Sequence, residues 1–374
     1  MLTDFNGMND TQSPPIAGFA TLPTEIVPSI LDWLPIKDQV NARQVSRRFC
    51  TIVDDYRTPS PHERLNRVNG QFSTAHVLDH LQRRYHAHWR LPDHLETITN
   101  AVIDDQYLQG LKALVAYRGP NHERTSAQHA LQAAARSGWT EGLDYLLNTP
   151  PVNPAAGCNQ AIRRAALEGH LSVVNRLLDD ERVNPADVNN YAIQHASRNG
   201  HWPVVERLLQ DPRVDPSAFD NWAIRVAAGH GHEPVVQRLL NDARVNPGAL
   251  GNAAIVWAAM AGYSAIVDLL LQSPMVDPTT SHNAPLRNAA TNGFVDVVHQ
   301  LLEDPRVDPT AKNNEAIREA ARFGHAHVVA RLLQDHRVDP CVFNNWALKA
   351  AMQNGHQEVV ACFKQDRRVQ QACL

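Results

Sequence analysis

The segment AIREAARFGHAHVVARLLQDHRVDP (316–340) contains a framework of residues that the chain repeats many times. Its first half pairs the aliphatic Ile317 with the small residues Ala320-Ala321, three and four positions further on, which is one face of a short helix. Small residues on that face let another helix approach closely. Gly324 then ends the helix, where a left-handed residue without a Cβ is wanted.

The second half of the segment encodes another helix and a turn. The Val328-Val329 pair stands four residues before Leu332-Leu333, which makes an apolar stripe. Val338 then precedes Asp339-Pro340, and an Asx-Pro pair enforces an extended residue followed by a turn. The segment therefore predicts the order helix, turn, helix, loop.

The framework recurs every 31 residues without insertion or deletion, to the end of the chain at Leu374. Counting from residue 128, we number eight units, each centred on one of the glycines Gly138, Gly169, Gly200, Gly231, Gly262, Gly293, Gly324 and Gly355. Units two to eight begin with an Asn, predicted to cap the first helix. Stacked helix pairs bury one continuous core, so the fold predicted over 128–374 is an all-α solenoid.

This framework resembles the ankyrin repeat, whose consensus has Pro-Leu-His, two Ala, Gly-His, a Val pair, a Leu pair and Val-Asn. Unit six keeps the family's Pro before Leu, at Pro285-Leu286. The resemblance implies an ankyrin-type solenoid that binds a protein. Two departures are notable. The unit is shorter than the usual ~33 residues, which predicts a truncated β-hairpin finger. The His that follows Leu in the family is replaced here by Arg163, Arg225, Arg287, Arg318 or Lys349. The hydrogen-bond role of that His is therefore in doubt in this chain.

Both ends of the array carry atypical copies, as terminal repeats do because one side faces water. The stretch 95–119 looks like the same helix pair in degenerate form, so we interpret 95–127 as a capping repeat. At the other end Phe363-Lys364 replaces the Leu pair, which predicts a C-terminal cap.

The N-terminal text has a different character. Residues 1–20 are small and polar without periodicity, and are predicted to be disordered. Apolar residues then recur every four positions until Pro35 breaks the pattern. About 35 residues cannot build a core that stands alone, so this segment needs a partner surface. Residues 57–94 include an amphipathic helix candidate at 75–89 and are predicted to form a helical connector.

The segment 21–56 resembles the F-box, on Leu22-Pro23, Glu25-Ile26, Ile30, Leu34-Pro35, Lys37-Asp38, Val45-Ser46, Arg48 and Phe49. It departs from the family at Gln39, which replaces Leu, and at Pro28 inside the first helix. The resemblance implies docking onto the Skp adaptor of SCF-type cullin–RING ubiquitin ligases. By that analogy the docking face consists of Leu22, Pro23, Ile26, Ile30, Leu34, Pro35, Val45 and Phe49. The alternative is a plain helical hairpin that caps the solenoid.

Composition excludes several classes of protein. A formal net charge of -4 argues against a nucleic-acid binder. No apolar run approaches the roughly 20 residues of a membrane-spanning helix, and the N-terminus does not resemble a secretory signal. Five scattered Cys suit a reducing compartment. We therefore expect an intracellular protein, cytoplasmic and/or nuclear. The F-box and ankyrin combination is similar to proteins of some large DNA viruses and fungi, and a viral chain would act in the host cytoplasm.

The 19 His invite a metal or catalytic interpretation. Five of them follow the repeat Gly, at His170, His201, His232, His325 and His356. A spacing of one unit gives no ligand cluster of the kind zinc needs, so we predict that they hydrogen-bond backbone between adjacent repeats. No phosphate loop, nucleophile motif or metalloprotease motif occurs. The sequence predicts a non-enzyme without metal or cofactor.

The binding surface of a solenoid is formed by the positions that vary between units, whereas the framework positions stay constant. In the columns nine and five residues before the Gly stand Tyr191, Trp222, Trp346 and Trp257, with Met260 nearby and Phe219 and Phe343 in the loops. Exposed aromatics beside Arg are typical of interface anchors. We predict that these seven residues bind a target protein. Alternatively the tryptophans only cover the shortened loops, since isolated exposed apolar residues are common.

Two functions follow. In the first, the chain is a substrate receptor of an SCF-type ligase, with the F-box on the Skp adaptor and the array on a target. In the second, it is a binding scaffold with no role in ubiquitination.

Overall fold

The computed structural model describes residues 95–116 and 127–372. Within these ranges every regular element is a helix and no strand occurs. The helices form pairs, and each pair packs on the pairs before and after it along the chain. The predicted all-α, ankyrin-type solenoid is confirmed. None of the helices in this part of the chain has the length and hydropathy that crossing a bilayer requires.

The helices divide into two layers. A first pair, α1 (Leu95–Asp104) and α2 (Leu108–Ala116), precedes unit one. The first-helix layer consists of α3 (Ala127–Ser137), α5 (Ala156–Glu168), α7 (Asp187–Arg198), α9 (Ala218–Gly229), α11 (Ala249–Ala261), α13 (Thr280–Asn292), α15 (Ala311–Phe323) and α17 (Val342–Gln353). The second-helix layer consists of α4 (Thr140–Leu147), α6 (Leu171–Leu178), α8 (Trp202–Leu209), α10 (Glu233–Leu240), α12 (Ser264–Leu271), α14 (Val295–Glu303), α16 (Ala326–Leu333) and α18 (Gln357–Gln365). The short α19 (Arg367–Ala372) follows.

The framework residues build one apolar core that runs from Ile98 to Val369. In unit seven Ile317, Ala320 and Leu332 are fully buried, and the same columns are buried in the other units except at Leu348, which is partly buried. Each fully buried Leu or Ile contributes about 1.5–3 kcal/mol. Because part of that burial comes from adjacent units, a single unit cannot hold itself together.

A turn of three left-handed residues opens each first helix from unit two onward. In unit three Val188, Asn189 and Asn190 have φ of 53°, 55° and 64°, and the right-handed helix begins only after them. The predicted helix cap is wrong here. Asn190 Oδ1 instead accepts from the backbone N–H of Asp215 at 2.8 Å and closes the loop of its own unit. Asn suits this position because it tolerates the left-handed backbone. The same bond is made by Asn159, Asn221, Asn252, Asn283 and Asn314.

The predicted turn at the Asx-Pro pair is confirmed. Asp215 Oδ1 accepts from the N–H of Ser217 at 2.9 Å, which makes the expected turn around the Asx-Pro pair. Pro203 and Pro234 lie in the first turn of α8 and α10. The loops of the described units contain no strand, which agrees with the predicted truncation of the finger.

Each repeat Gly except the last, Gly355, is covered by a side chain of the next unit. Gly293 has φ +83°, and the ring of His325 lies against it. The Nε2–H of the same ring donates to the carbonyl oxygen of Thr291 at 2.9 Å. All five histidines that follow a repeat Gly make this bond, with distances from 2.8 to 3.0 Å, so the predicted contact between adjacent repeats is confirmed.

A second inter-unit contact was not anticipated from the sequence. Arg213 donates through Nε and Nη2 to both carboxylate oxygens of Asp211 and through Nη1 to the carbonyl oxygen of Val183, 2.8 Å away in the preceding unit. The hydrogen bond from Arg213 lowers the pKa of Asp211 below its ordinary value. We call this arrangement the Asp–Arg clamp. It recurs at Asp180-Arg182, Asp242-Arg244, Asp304-Arg306, Asp335-Arg337 and Asp366-Arg368.

Unit five departs from this pattern. Ser273 and Met275 stand where the other clamps have Asp and Arg. Tyr263 replaces the His after the Gly, and its ring covers Gly231. Unit five is therefore joined to unit four without a clamp.

The described residues cover only part of the predicted domains. Residues 1–20, the F-box segment 21–56 and the connector 57–94 lie outside the described residues. In the predicted capping repeat, α1 and α2 bury Ile98, Val102 and Leu111, and Asn100 Oδ1 is 3.4 Å from His129 Nε2 on α3. At the other end Phe363 is fully buried in the place of a Leu. The capping roles remain predictions.

Candidate protein-interaction surface

The first-helix layer positions most of the predicted target-binding residues. The side chains that vary between units stand nine, six, five and two residues before the repeat Gly. Because the first helices of adjacent units pack side by side, equivalent positions follow one another along the stack and can touch across units.

In four units the position six before the Gly carries an Arg that supports the left-handed turn. Arg225 Nε donates to the carbonyl oxygen of Asp220 and its Nη2 donates to that of Phe219, each at 2.8 Å. Arg163, Arg287 and Arg318 make the same pair of bonds in their units. Arginine thus supplies hydrogen bonds at the position where the family consensus has His. Burial lowers the pKa of Arg225, which is 5% exposed.

An aromatic ladder joins units two to four. The Arg163 guanidinium lies over the Tyr191 ring, 5.1 Å from its centroid. Tyr191 stacks on His195 with ring centroids 3.7 Å apart, and the His195 centroid is 5.6 Å from that of Trp222. Burial lowers the pKa of His195, and the charges of Arg198 and Arg163 lower it further, so the imidazole is neutral at pH 7. Two predicted target-binding residues are therefore brought together by His195, which the sequence analysis did not include.

Trp257 and Met260 lie on α11 in unit five. The Trp257 ring lies 5.5 Å from the Arg225 guanidinium. It occupies space that Gly229 leaves open, since a Cβ there would be 3.3 Å from Trp257 Cβ. Met260 is 49% exposed. Arg225 thus connects Trp257 to unit four, in the way that Arg163 connects Tyr191 to unit two.

Phe219 and Phe343 occupy the first position of the left-handed turn and are 63% and 57% exposed. Val188 and Leu250 hold the same position in units three and five and are also exposed. The sequence analysis missed these two residues, although they share a column with Phe219. A bulky residue at positive φ is uncommon and strained. Exposed apolar side chains kept there despite the strain are therefore candidate contacts.

Trp346 is half-buried on α17. The guanidinium of Arg318 lies 5.3 Å from the Trp346 ring centroid and 5.4 Å from that of Phe343. One arginine of unit seven therefore holds both predicted residues of unit eight. Their role in target binding remains a prediction, as it does for the other five.

The described residues contain no cluster of metal-binding side chains. No group of three or more His, Cys, Asp or Glu side chains in 95–116 and 127–372 could hold a metal ion. The histidines that follow the repeat Gly are used in the inter-unit hydrogen bonds described above. The predicted Skp-docking residues, from Leu22 to Phe49, lie outside the described part of the chain.

Comparison with protein-family models gives two results. The model described as Ankyrin repeats (3 copies) matches residues 162–249, 190–282, 224–313 and 286–368, which together cover more than half of the chain. The model described as F-box domain matches residues 19–59. A comparison with curated proteins finds no match. Both families are protein-interaction modules rather than catalytic ones. The chain belongs to the ankyrin-repeat family and is an F-box protein with ankyrin repeats.

Proposed function

We propose that this protein is the substrate-receptor subunit of an SCF-type cullin–RING ubiquitin ligase. The observation that carries the proposal is the F-box at 19–59 in the same chain as the ankyrin array. An F-box binds the Skp adaptor, and ankyrin repeats bind target proteins. The chain then contributes proximity, because it holds the target beside the catalytic partners of the ligase. Its place of action is intracellular, in the cytoplasm, the nucleus or both.

The proposed Skp-docking face is the apolar set Leu22, Pro23, Ile26, Ile30, Leu34, Pro35, Val45 and Phe49. These residues follow from the F-box resemblance. A charge introduced among them should be costly, because the docking face loses water when the adaptor binds.

The proposed target-binding face is the set Tyr191, Phe219, Trp222, Trp257, Met260, Phe343 and Trp346. Its support is the alternation of aromatic rings and guanidinium groups along the first-helix layer. Such combinations are enriched among the few residues that carry most of the binding energy in protein interfaces.

Affinity purification with mass spectrometry tests the two faces separately. Leu34→Asp with Pro35→Ala should abolish capture of the Skp adaptor and cullin but leave target capture intact. Trp222→Ala with Trp257→Ala should weaken target capture and leave Skp capture intact. Each double variant is therefore the folding control for the other.

Unchanged Skp capture by the Leu34→Asp, Pro35→Ala variant would contradict the docking assignment. A wild-type chain that captures a target but neither Skp nor cullin would identify a binding scaffold without a role in ubiquitination.

A further inference from the structure

The two helical layers differ in charge. The first-helix layer contains ten Lys or Arg and five Asp or Glu, whereas the second-helix layer contains five and eight. The chain as a whole has a net charge of -4. Positive charge is thus concentrated on the layer that carries the aromatic ladder.

In units one to three the first helices carry four Arg against two acids, Glu168 and Asp187, so a net positive charge remains. Arg136, Arg164 and Arg198 are exposed, and none of them has an ion-pair partner among the described residues. The carboxylate of Asp187 on α7 is occupied by Asn159 Nδ2 and the N–H of Val188. The second-helix layer is different, since Arg176 pairs with Asp144 at 2.5 Å and Arg238 pairs with Glu206.

The three arginines stand in the same helical layer as the aromatic ladder, on consecutive first helices. Arg136 and Arg164 stand on α3 and α5, and Arg198 stands on α7 with Tyr191 and His195. Burial lowers the pKa of His195, and the nearby positive charges of Arg198 and Arg163 lower it further. We define the basic ladder as Arg136, Arg164, Tyr191, His195, Arg198 and Trp222.

We propose that the basic ladder binds an acidic segment of the target protein, with carboxylates spaced around an aromatic or aliphatic residue. The proposal deepens the proposed target-binding function of the array and depends on it. Guanidinium groups pair with carboxylates through two parallel hydrogen bonds, and none of these three is paired with a carboxylate in the part of the chain that the structure describes. The apolar residue of the segment would lie on the rings of Tyr191 and Trp222.

The stacking of the units sets the spacing of the carboxylates. Adjacent packed helices lie about 8–10 Å apart, and a polyproline II segment advances about 3.1 Å per residue with three residues per turn, so that side chains three positions apart lie on one face. Carboxylates that meet Arg164 and Arg198 on neighbouring helices should therefore be roughly three residues apart. A free amino acid or small carboxylate could not reach both.

The same basic surface could in principle attract nucleic acid. The observations favour a protein, because three unpaired arginines are few for a phosphate backbone, which needs a continuous basic track. Glu315 and Glu319 lie in the same layer further along the array. Nucleic-acid binding is therefore an outcome that the test distinguishes.

Fluorescence anisotropy with the full-length chain tests the proposal. The probes are a labelled 12-residue peptide with Glu at every third position and a central Phe, the same peptide with Lys for Glu, and a 12-nucleotide DNA strand. We expect binding of the acidic peptide only, weakening as NaCl rises from 50 to 300 mM. Arg164→Glu with Arg198→Glu should weaken it by about tenfold or more. The matched control, Arg207→Glu with Lys364→Glu, makes the same charge change in the second-helix layer and should change it less than about twofold.

The proposal is overturned if the acidic peptide does not bind, if both double variants weaken it equally, or if the DNA strand binds more tightly. Thermal melting of both variants shows that the array remains folded. Skp capture should be equal for the wild-type chain and the Arg164→Glu, Arg198→Glu variant. Peptide binding without Skp capture would contradict the ligase role and leave the basic ladder standing.

Discussion

The imidazole ring of His325 covers Gly293 of the preceding unit, so closely that a Cβ built on Gly293 would lie 2.5 Å from His325 Nδ1. Gly293 also has φ +83°. Two independent constraints therefore fall on one residue: the left-handed backbone and the absence of a side chain. Both constraints act on the first seven repeat glycines, where the covering residue is His in five cases, Tyr263 at Gly231 and Phe294 at Gly262, whereas Gly355 keeps only the left-handed φ.

We expect Gly293→Ala to destabilise the array by more than the ordinary cost of a left-handed Ala, which is about 1–2 kcal/mol. The added Cβ pushes the His325 ring away from Gly293 and weakens its hydrogen bond to Thr291. Urea unfolding of the single variants and of Gly293→Ala with His325→Ala measures the coupling. The double variant should cost less than the sum of the two single changes.

Gly355→Ala is the matched control, because Gly355 has φ +77° but no atom within 4 Å of the added Cβ. It should cost only the backbone strain. Equal destabilisation at Gly293 and Gly355 would show that the covering ring yields freely.

The missing clamp of unit five can be installed. Ser273→Asp with Met275→Arg should let the new guanidinium hold the carboxylate and reach the carbonyl oxygen of Val245. Met275 is 59% exposed, so little buried area is lost. We expect a gain of about 1 kcal/mol in the free energy of unfolding. Each single change should give less than half of it, and strictly additive single effects would show that no clamp forms.

Acid should weaken the six existing clamps together. In each, the hydrogen bond from Arg lowers the pKa of the Asp in the folded state. When the pKa of a carboxyl group is lower in the folded state than its unfolded value of about 3.9, ionisation of that group stabilises the fold at pH values above the unfolded pKa. This stabilisation is lost as the pH falls through the folded pKa. The urea midpoint should therefore fall steadily below about pH 5.

Asp304→Asn with Asp335→Asn identifies the source of this acid sensitivity. The variant should be less stable than the wild type at pH 7, since two clamps lose their charge, and the difference should shrink at pH 3. A constant difference at both pH values would assign the acid sensitivity to other carboxylates.

The sequence predicts the solenoid well because its period is carried by buried residues. Ile317, Ala320 and Leu332 recur in one register, and burial leaves them few alternatives. The Asx-Pro turns and the His contact can be predicted equally well from the sequence. The turns depend on neighbouring residues, and the His recurs in the repeat.

The contacts across units were harder to predict. The contact of Arg213 with Val183 and that of Tyr191 with Arg163 can be predicted only when the stacking geometry of the units is known. The left-handed turn was not predicted from the sequence, for a similar reason. Bulky residues are uncommon at positive φ, so the residues of the turn do not predict it. The reason for the turn is seen only in the hydrogen bond from Asp215 to Asn190, which lies 25 residues away in sequence.

Val188 offers a test of why such strain persists. It is β-branched, has φ +53° and is 42% exposed. Val188→Asn should therefore stabilise the array by about 1 kcal/mol, because Asn tolerates this backbone and little burial is lost. The reverse change in unit six, Ser281→Val at φ 49°, should destabilise it by a similar amount in urea unfolding. If the strained valine serves target binding, Val188→Asn with Phe219→Asn will yield a more stable chain that captures less target per Skp adaptor. A destabilised Val188→Asn variant would mean that the valine serves folding after all.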